Sequence, residues 1–235
     1  MNHGLRWILL LGCTAIAPCL GSPSNAAPVV IELFTAQGCS SCPPADKLLA
    51  DVARRPDVIA LAYHVDYWDD LGWKDRFSLP EATRRQRGYV RKLSESGAFT
   101  PQAVIGGAVS FIGSDRVSMN KALAQDRDAL TVELSKDGNK LQIDLKEQWR
   151  EPMDIYLIAY LADATTQIAR GENANRVLKE VNIVRSVRRL GTWNGAPQQR
   201  SVPLSTLPSD ATNVVVLLQK PNQGAIAGAA TLPLH

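Results

Sequence analysis

The sequence predicts an α/β domain over residues 27–128 followed by an all-β, β-sandwich-like domain over residues 129–235. Short, nearly uninterrupted apolar runs alternate with helical segments up to about residue 128, the pattern of a buried sheet crossed by helices. A Cys-x-x-Cys pair, Cys39 and Cys42, stands where the first apolar run meets the first helix. From Leu130 onward the texture changes to alternating strands separated by Asp-Gly, Pro and Asn-rich turns. At 235 residues the chain is long enough for two domains with real cores.

Residues 1–26 read as a secretory signal peptide: Arg6, an apolar run that resumes at Ala15, then Pro23 and the small-residue exit Ser24-Asn25-Ala26. Cleavage after Ala26 sends the mature chain to the periplasm or out of the cell. The alternative is a lipid anchor on Cys13, in Leu10-Leu11-Gly12-Cys13. No later run reaches transmembrane length. Removing residues 1–26 removes Arg6 and no acid, which lowers the balance from +3 to +2. Nothing in that charge calls for nucleic acid.

PVVIELFT over 28–35 is a strand buried on both faces, interrupted by Glu32. A helix follows the cysteines, with Pro43 in its first turn and Pro44 removing one hydrogen bond. Pro56 and Asp57 end it, and VIALAYHV over 58–65 is a second buried strand, so the two strands are parallel in a right-handed βαβ unit. The loop DYWDDLGWKDRF therefore leaves from the same sheet edge that carries Cys39, where Tyr67, Trp68 and Trp73 either line a groove or cap the core. Ser78-Leu79-Pro80-Glu81 reads as a capping box opening a helix to about Ser94, crowded with Arg84, Arg85, Arg87, Arg91 and Lys92. These cations read as a solvated face rather than an anion site. QAVIGG and AVSFIG form a hairpin through Gly106-Gly107, and Ser114-Asp115 start a last helix. Seven short strands follow from Leu130, with Asp137-Gly138-Asn139 as a hairpin turn and residues 171–175 as a loop that can lie against the first domain.

With Cys13 and Cys19 in the signal, only Cys39 and Cys42 remain, and they can pair only with each other or with another molecule. Unpaired amides and the dipole of a helix start favour a thiolate at Cys39, which could attack a disulfide while Cys42 resolves the product. Zinc would need two more ligands, and the mature chain adds only His64 and His235. We therefore expect no metal and no cofactor. An inert bridge that tightens a helix start is the other reading of the pair.

Residues 28–128 resemble a thioredoxin-fold domain, with Thr100-Pro101 matching the loop whose cis-proline faces the dithiol. ELFTAQGCSSCPPAD, HVDYWDDLGW and TPQAVIGG together resemble the DUF1223 family of secreted bacterial proteins, and RGENANR and NIVR extend the likeness over most of the chain. The fold class expected is thus an α/β thioredoxin-like domain followed by a β-sandwich-like domain. The resemblance implies a cis Pro101 beside the sulfurs, and a substrate groove there would be bordered by Thr100 and, if they line it rather than cap the core, by Trp68 and Trp73. It also implies a proton shuttle to Cys42, for which Glu32 is the acid available. Ser40-Ser41 between the cysteines, and Gly38 where thioredoxins commonly have tryptophan, depart from that pattern. The function expected is thiol–disulfide exchange with protein clients or a redox partner; the rival is a non-catalytic binding module with a structural or sensory disulfide.

Overall fold

The computed structural model describes Met1 and residues 28–125 and 130–234. The expected signal segment, with Cys13 and Cys19, lies outside the described residues apart from Met1. In the first half β1 (Val29–Thr35) leads through the cysteine turn into α1 (Pro43–Val52) and β2 (Val58–His64). After a loop come α2 (Pro80–Lys92), the hairpin β3 (Gln102–Ile105) and β4 (Val109–Ile112), and α3 (Arg116–Leu123). The second half contributes β5 (Glu133–Asp137), β6 (Lys140–Leu145), β7 (Met153–Gln167), β8 (Val177–Trp193), β9 (Gln198–Pro203), β10 (Asn213–Gln219) and β11 (Ile226–Pro233).

β1 and β2 pair in parallel from Val29 opposite Val58 to Thr35 opposite His64, which requires the crossover that α1 supplies. β3 pairs antiparallel to β1 on its other side and turns into β4 through Gly106 and Gly107. Both glycines have positive φ, and a Cβ on Gly107 would stand 2.6 Å from the Gly224 carbonyl oxygen.

The expected fold class does not hold. Instead of a thioredoxin-like α/β domain followed by a separate β-sandwich, the protein is mostly β, with one eight-stranded mixed sheet in the order β11-β10-β7-β8-β2-β1-β3-β4. Strands β5, β6 and β9 form a second, three-stranded sheet. The junction is the parallel contact of β8 with β2, where Ala62 faces Ile183 and the Asn182 side-chain amide donates to the Ala60 carbonyl at 2.9 Å. The seven apolar runs after Leu130 are strands. Alternation in a sequence says that a strand has a buried face, however, and not which strand lies beside it.

The shared sheet explains where the cores sit. On one face Val30 and Phe34 of β1 pack with Ala82 and Tyr89 of α2 and with Ile158, Val184, Val215 and Leu217 from the second half. On the other face Ile31 and Leu33 meet Ala45, Leu48 and Leu49 of α1 and Met119 of α3. Further along, Leu157, Val214 and Val216 meet Leu141, Ile143 and Val202 of the small sheet. One helix start also differs from expectation. Leu79, not Ser78, is the N-cap of α2, and the Ser78 hydroxyl donates to Asp69 instead, at 2.7 Å. Cys42 is the N-cap of α1.

Candidate functional site

Cys39 and Cys42 form a disulfide across a tight turn at the carboxyl edge of β1, with their Cα atoms 5.4 Å apart. The turn is closed by backbone bonds, Cys39 N–H to the Ala36 carbonyl at 3.1 Å and Cys42 N–H to the Cys39 carbonyl at 3.2 Å. The Cys42 carbonyl then accepts from Ala45 and Asp46. Because Pro43 and Pro44 have no N–H, the helix start offers the sulfurs fewer free donors than an ordinary first turn. The expected amide stabilisation of a Cys39 thiolate is therefore weak. A hydroxyl takes its place: Ser41 Oγ lies 3.3 Å from Cys39 Sγ and also 3.5 Å from the Thr100 carbonyl oxygen.

Both cysteines are fully buried. They pack in the apolar cluster with Phe34, Ala36 and Tyr63, and the turn between β7 and β8 is fastened to the cysteine turn. The buried Asn173 donates its side-chain amide to both the Gln37 and Cys39 carbonyls, each at 2.9 Å. Glu172 beside it accepts the Ser40 N–H at 3.0 Å. The positive-φ Gly171 packs on Trp73 and Gly72, so the segment expected as a loop against the first domain straps the cysteine turn.

The other residues singled out from sequence fall into two groups. The Thr100–Pro101 peptide is cis, and its loop meets the cysteine turn through Ser41. Trp68 lies against Gly38 and donates its indole N–H to the Thr100 hydroxyl at 2.9 Å; Trp73 donates its own to the Gln37 side-chain oxygen at 3.0 Å. Both tryptophans are thus half-buried brackets around the turn. Glu32 belongs elsewhere. It projects from the β1 face opposite α1, where Arg85 grips both carboxylate oxygens, at 2.5 and 2.9 Å, and the Tyr89 hydroxyl donates to one of them. Gln219 of β10 accepts from Arg85 at 3.0 Å and completes a buried cross-brace between the halves. That places the carboxylate on the α2 side of β1, held by Arg85 and Tyr89.

An acidic network that the sequence reading missed does sit under the turn. Asp46 follows Cys42 by one helical turn, on the same face of α1, and accepts from the Thr35 hydroxyl at 2.8 Å. Loss of water around its carboxyl raises its pKa to about 7, against the pull of the His64 charge and the Thr35 bond. His64, at the end of β2, bonds Asp75 through Nδ1 at 2.7 Å and lies 3.8 Å from Glu180 through Nε2. Burial alone would lower its pKa, but the Asp75 carboxylate and its hydrogen bond, joined by Glu180 and Asp46, outweigh that and raise it to about 9. The network returns to the cysteines through Gln37, whose N–H goes to Asp75 at 2.9 Å and whose side-chain amide goes to Glu180 at 2.9 Å. Asp46 and Gln37 lie within the cysteine motif itself, and Asn173 within RGENANR, so spacing could have flagged them. Glu180 left no signal, because it faces the site only once β8 lies beside β2.

Among the described residues, no helix is long and apolar enough to cross a membrane. A family profile described as "Protein of unknown function (DUF1223)" matches residues 30–219. No curated protein matches the sequence. The crystal structure of protein AGR_C_4864 from Agrobacterium tumefaciens is similar at 32% identity and a TM-score of 0.76, covering 90% of this chain and 96% of that one. HBP35 of Porphyromonas gingivalis resembles it in fold, with a TM-score of 0.62 at 15% identity, covering 90% of this chain and 76% of that one.

Proposed function

The chain belongs to the DUF1223 family, and from the site described above we propose that it is a periplasmic or secreted thiol–disulfide oxidoreductase that exchanges disulfides with protein clients through Cys39 and Cys42. The observation that carries this reading is a disulfide at a helix start whose Cys42 carbonyl accepts the Asp46 N–H, with the Asp46 carboxyl one helical turn on and its pKa raised to about 7. Bridges that only tighten a chain need no such neighbour, whereas exchange needs a group that can give or take a proton near neutrality.

The steps balance without a further reagent. A client thiolate attacks Cys39 Sγ, the Cys39–Cys42 bond breaks, and a mixed disulfide forms. Cys42 leaves as a thiolate and takes a proton from Asp46. A second client thiolate then attacks the client sulfur of the mixed disulfide and releases Cys39, whose charge the Ser41 hydroxyl stabilises. Two electrons pass to the protein, and the client keeps the new disulfide; in reverse, Asp46 accepts the proton. For a client to reach Cys39 the Glu172–Asn173 turn must release its three bonds. Thr100, Trp68 and Trp73 then border the opening.

One observation favours the rival reading of a binding module with a structural disulfide: both cysteines are fully covered. A redox titration of the protein with thiol trapping separates the two. A potential between about −270 and −120 mV, the span of known exchange proteins, supports exchange, and one below about −300 mV makes the bridge structural.

A further inference from the structure

A groove runs along α2 on the sheet face that this helix only partly covers. Three cavities follow one another from the first turn of the helix to its last. The first, of about 270 Å³, lies beside Glu81 and Arg185–Arg188 of β8. The second, about 260 Å³, shares Glu81 and Val187 with it. The third, about 470 Å³, shares Tyr156 and Gln223 with the second and ends at Arg91 and Lys92. α2 has 13 residues, so the groove is about 20 Å long, the reach of about six extended residues.

Its walls are cationic. Arg84, Arg91 and Lys92 from α2 face Arg185, Arg188 and Arg189 from β8, against Glu81 and Asp154. Arg85, also in the wall, is neutralised from beneath by buried Glu32. The lining therefore carries +4 with that pair set aside, while the whole chain carries only +3, so positive charge is concentrated in the groove. Arg91, Lys92 and Arg188 have no carboxylate partner among the described residues. Two register shifts in the pairing of β7 with β8 bracket residues 186–189, the β8 stretch that lines the groove.

We infer that this groove docks an acidic polypeptide segment in extended form. The anions its arginines already hold are side-chain carboxylates: Glu81 on Arg84, Asp210 on Arg185 and Asp154 on Arg189. Tyr156 and Val187 supply an apolar floor for a peptide's side chains. Gly88 keeps the passage narrow, because the Gln223 side chain crosses α2 there to donate to the Arg85 carbonyl at 2.8 Å, and a Cβ on residue 88 would stand 1.4 Å from it. The groove also begins at the sheet edge that carries the disulfide, since Leu79 N–H bonds the His64 carbonyl at the end of β2. Docking stands on the groove's own charge and shape; that the docked segment belongs to a redox client rests on the exchange reading.

Fluorescein-labelled hexaglutamate tests it by anisotropy. Saturable binding is expected, weakening as salt rises and falling about tenfold or more in Arg91→Gln/Lys92→Gln/Arg188→Gln. A second variant, Arg91→Glu/Lys92→Glu, should shift preference to hexalysine; both positions are exposed helix surface. No saturable binding, unchanged affinity in the triple variant, or displacement by a sulfated oligosaccharide or an oligonucleotide at lower concentration than by unlabelled hexaglutamate overturns the inference. Cys39→Ser should bind hexaglutamate like the native chain. If native protein binds hexaglutamate yet oxidises no cysteine peptide, with or without a glutamate tail, the client role and the exchange reading fall while the docking site stands.

Discussion

The side-chain amide of Asn173 donates at 2.9 Å to the carbonyl of Cys39, 134 residues earlier, and with its second bond to Gln37 it fastens the β7–β8 turn over the disulfide. Asn173→Ala leaves two buried carbonyls without that donor. It should cost about 1–3 kcal/mol of stability in a urea titration. The reduction rate of the disulfide by a small thiol should rise about tenfold, since the cover is held by bonds of this size. A slower or unchanged reduction rate would show that the turn does not limit access.

The two cysteines should fail differently when removed. Cys42→Ser leaves an attacking sulfur without its resolver, so client-linked mixed disulfides should accumulate on non-reducing gels after expression in an oxidising compartment. Cys39→Ser should accumulate few. Equal trapping by both variants contradicts the assignment, and trapping by neither makes the bridge structural.

Ser41 stands 3.3 Å from Cys39 Sγ at a helix start where Pro43 and Pro44 withhold two amides. In the reduced protein its hydroxyl should be the main local donor to the Cys39 thiolate. Ser41→Ala should raise the Cys39 pKa by about one unit, the worth of one hydrogen bond to a charged group. Ultraviolet thiolate absorbance against pH reads the change directly.

The proton-shuttle role that the family resemblance implied for Glu32 is assigned in the exchange reading to Asp46. Re-formation of the disulfide requires Cys42 to lose a proton, so its rate should rise with an inflection near the Asp46 value of about 7. Asp46→Asn should lose that inflection and slow the step by about 100-fold at neutral pH. Glu32→Gln should keep it, because Arg85 and Tyr89 already occupy that carboxylate. Matching profiles for native protein and Asp46→Asn would remove Asp46 from the mechanism.

His64 should govern the alkaline limb of stability. Its folded pKa of about 9 exceeds the ordinary 6.5, so the stability it lends is fully present below about 6.5 and is lost as pH rises through about 9. His64→Gln should be less stable than native by about 3 kcal/mol at mildly acid pH, with the difference shrinking toward pH 9. Asp46 acts with the same sign at lower pH: its value of about 7 exceeds 3.8, so its contribution is lost between those values. Urea midpoints across that pH range for native protein and both variants separate the two limbs.

Local chemistry made much of the chain legible. Apolar runs located β1, β2 and the seven later strands, because burial on one or two faces writes a period into the residues themselves. The Cys-x-x-Cys spacing located the turn and its disulfide, since at a helix start two Cα atoms three residues apart come within disulfide reach, here 5.4 Å. Ser78 shows the limit at short range. Its spacing to Glu81 fits a capping box, yet Asp69 offers its hydroxyl an acceptor from the preceding loop and takes it.

What the sequence determined by itself was therefore the set of strands and helices, the cysteine pair and the family resemblance. Tertiary structure alone decided that β8 pairs with β2, and with it the single large sheet, the fastening of Asn173 over Cys39, the place of Glu180 beside His64 and the turning of Glu32 toward Arg85. The physical reason is range. Periodicity and turn chemistry are set by neighbours a few residues apart, whereas the choice of sheet partner is made by backbone hydrogen bonds and apolar faces more than 100 residues apart, which any strand of suitable pattern could satisfy.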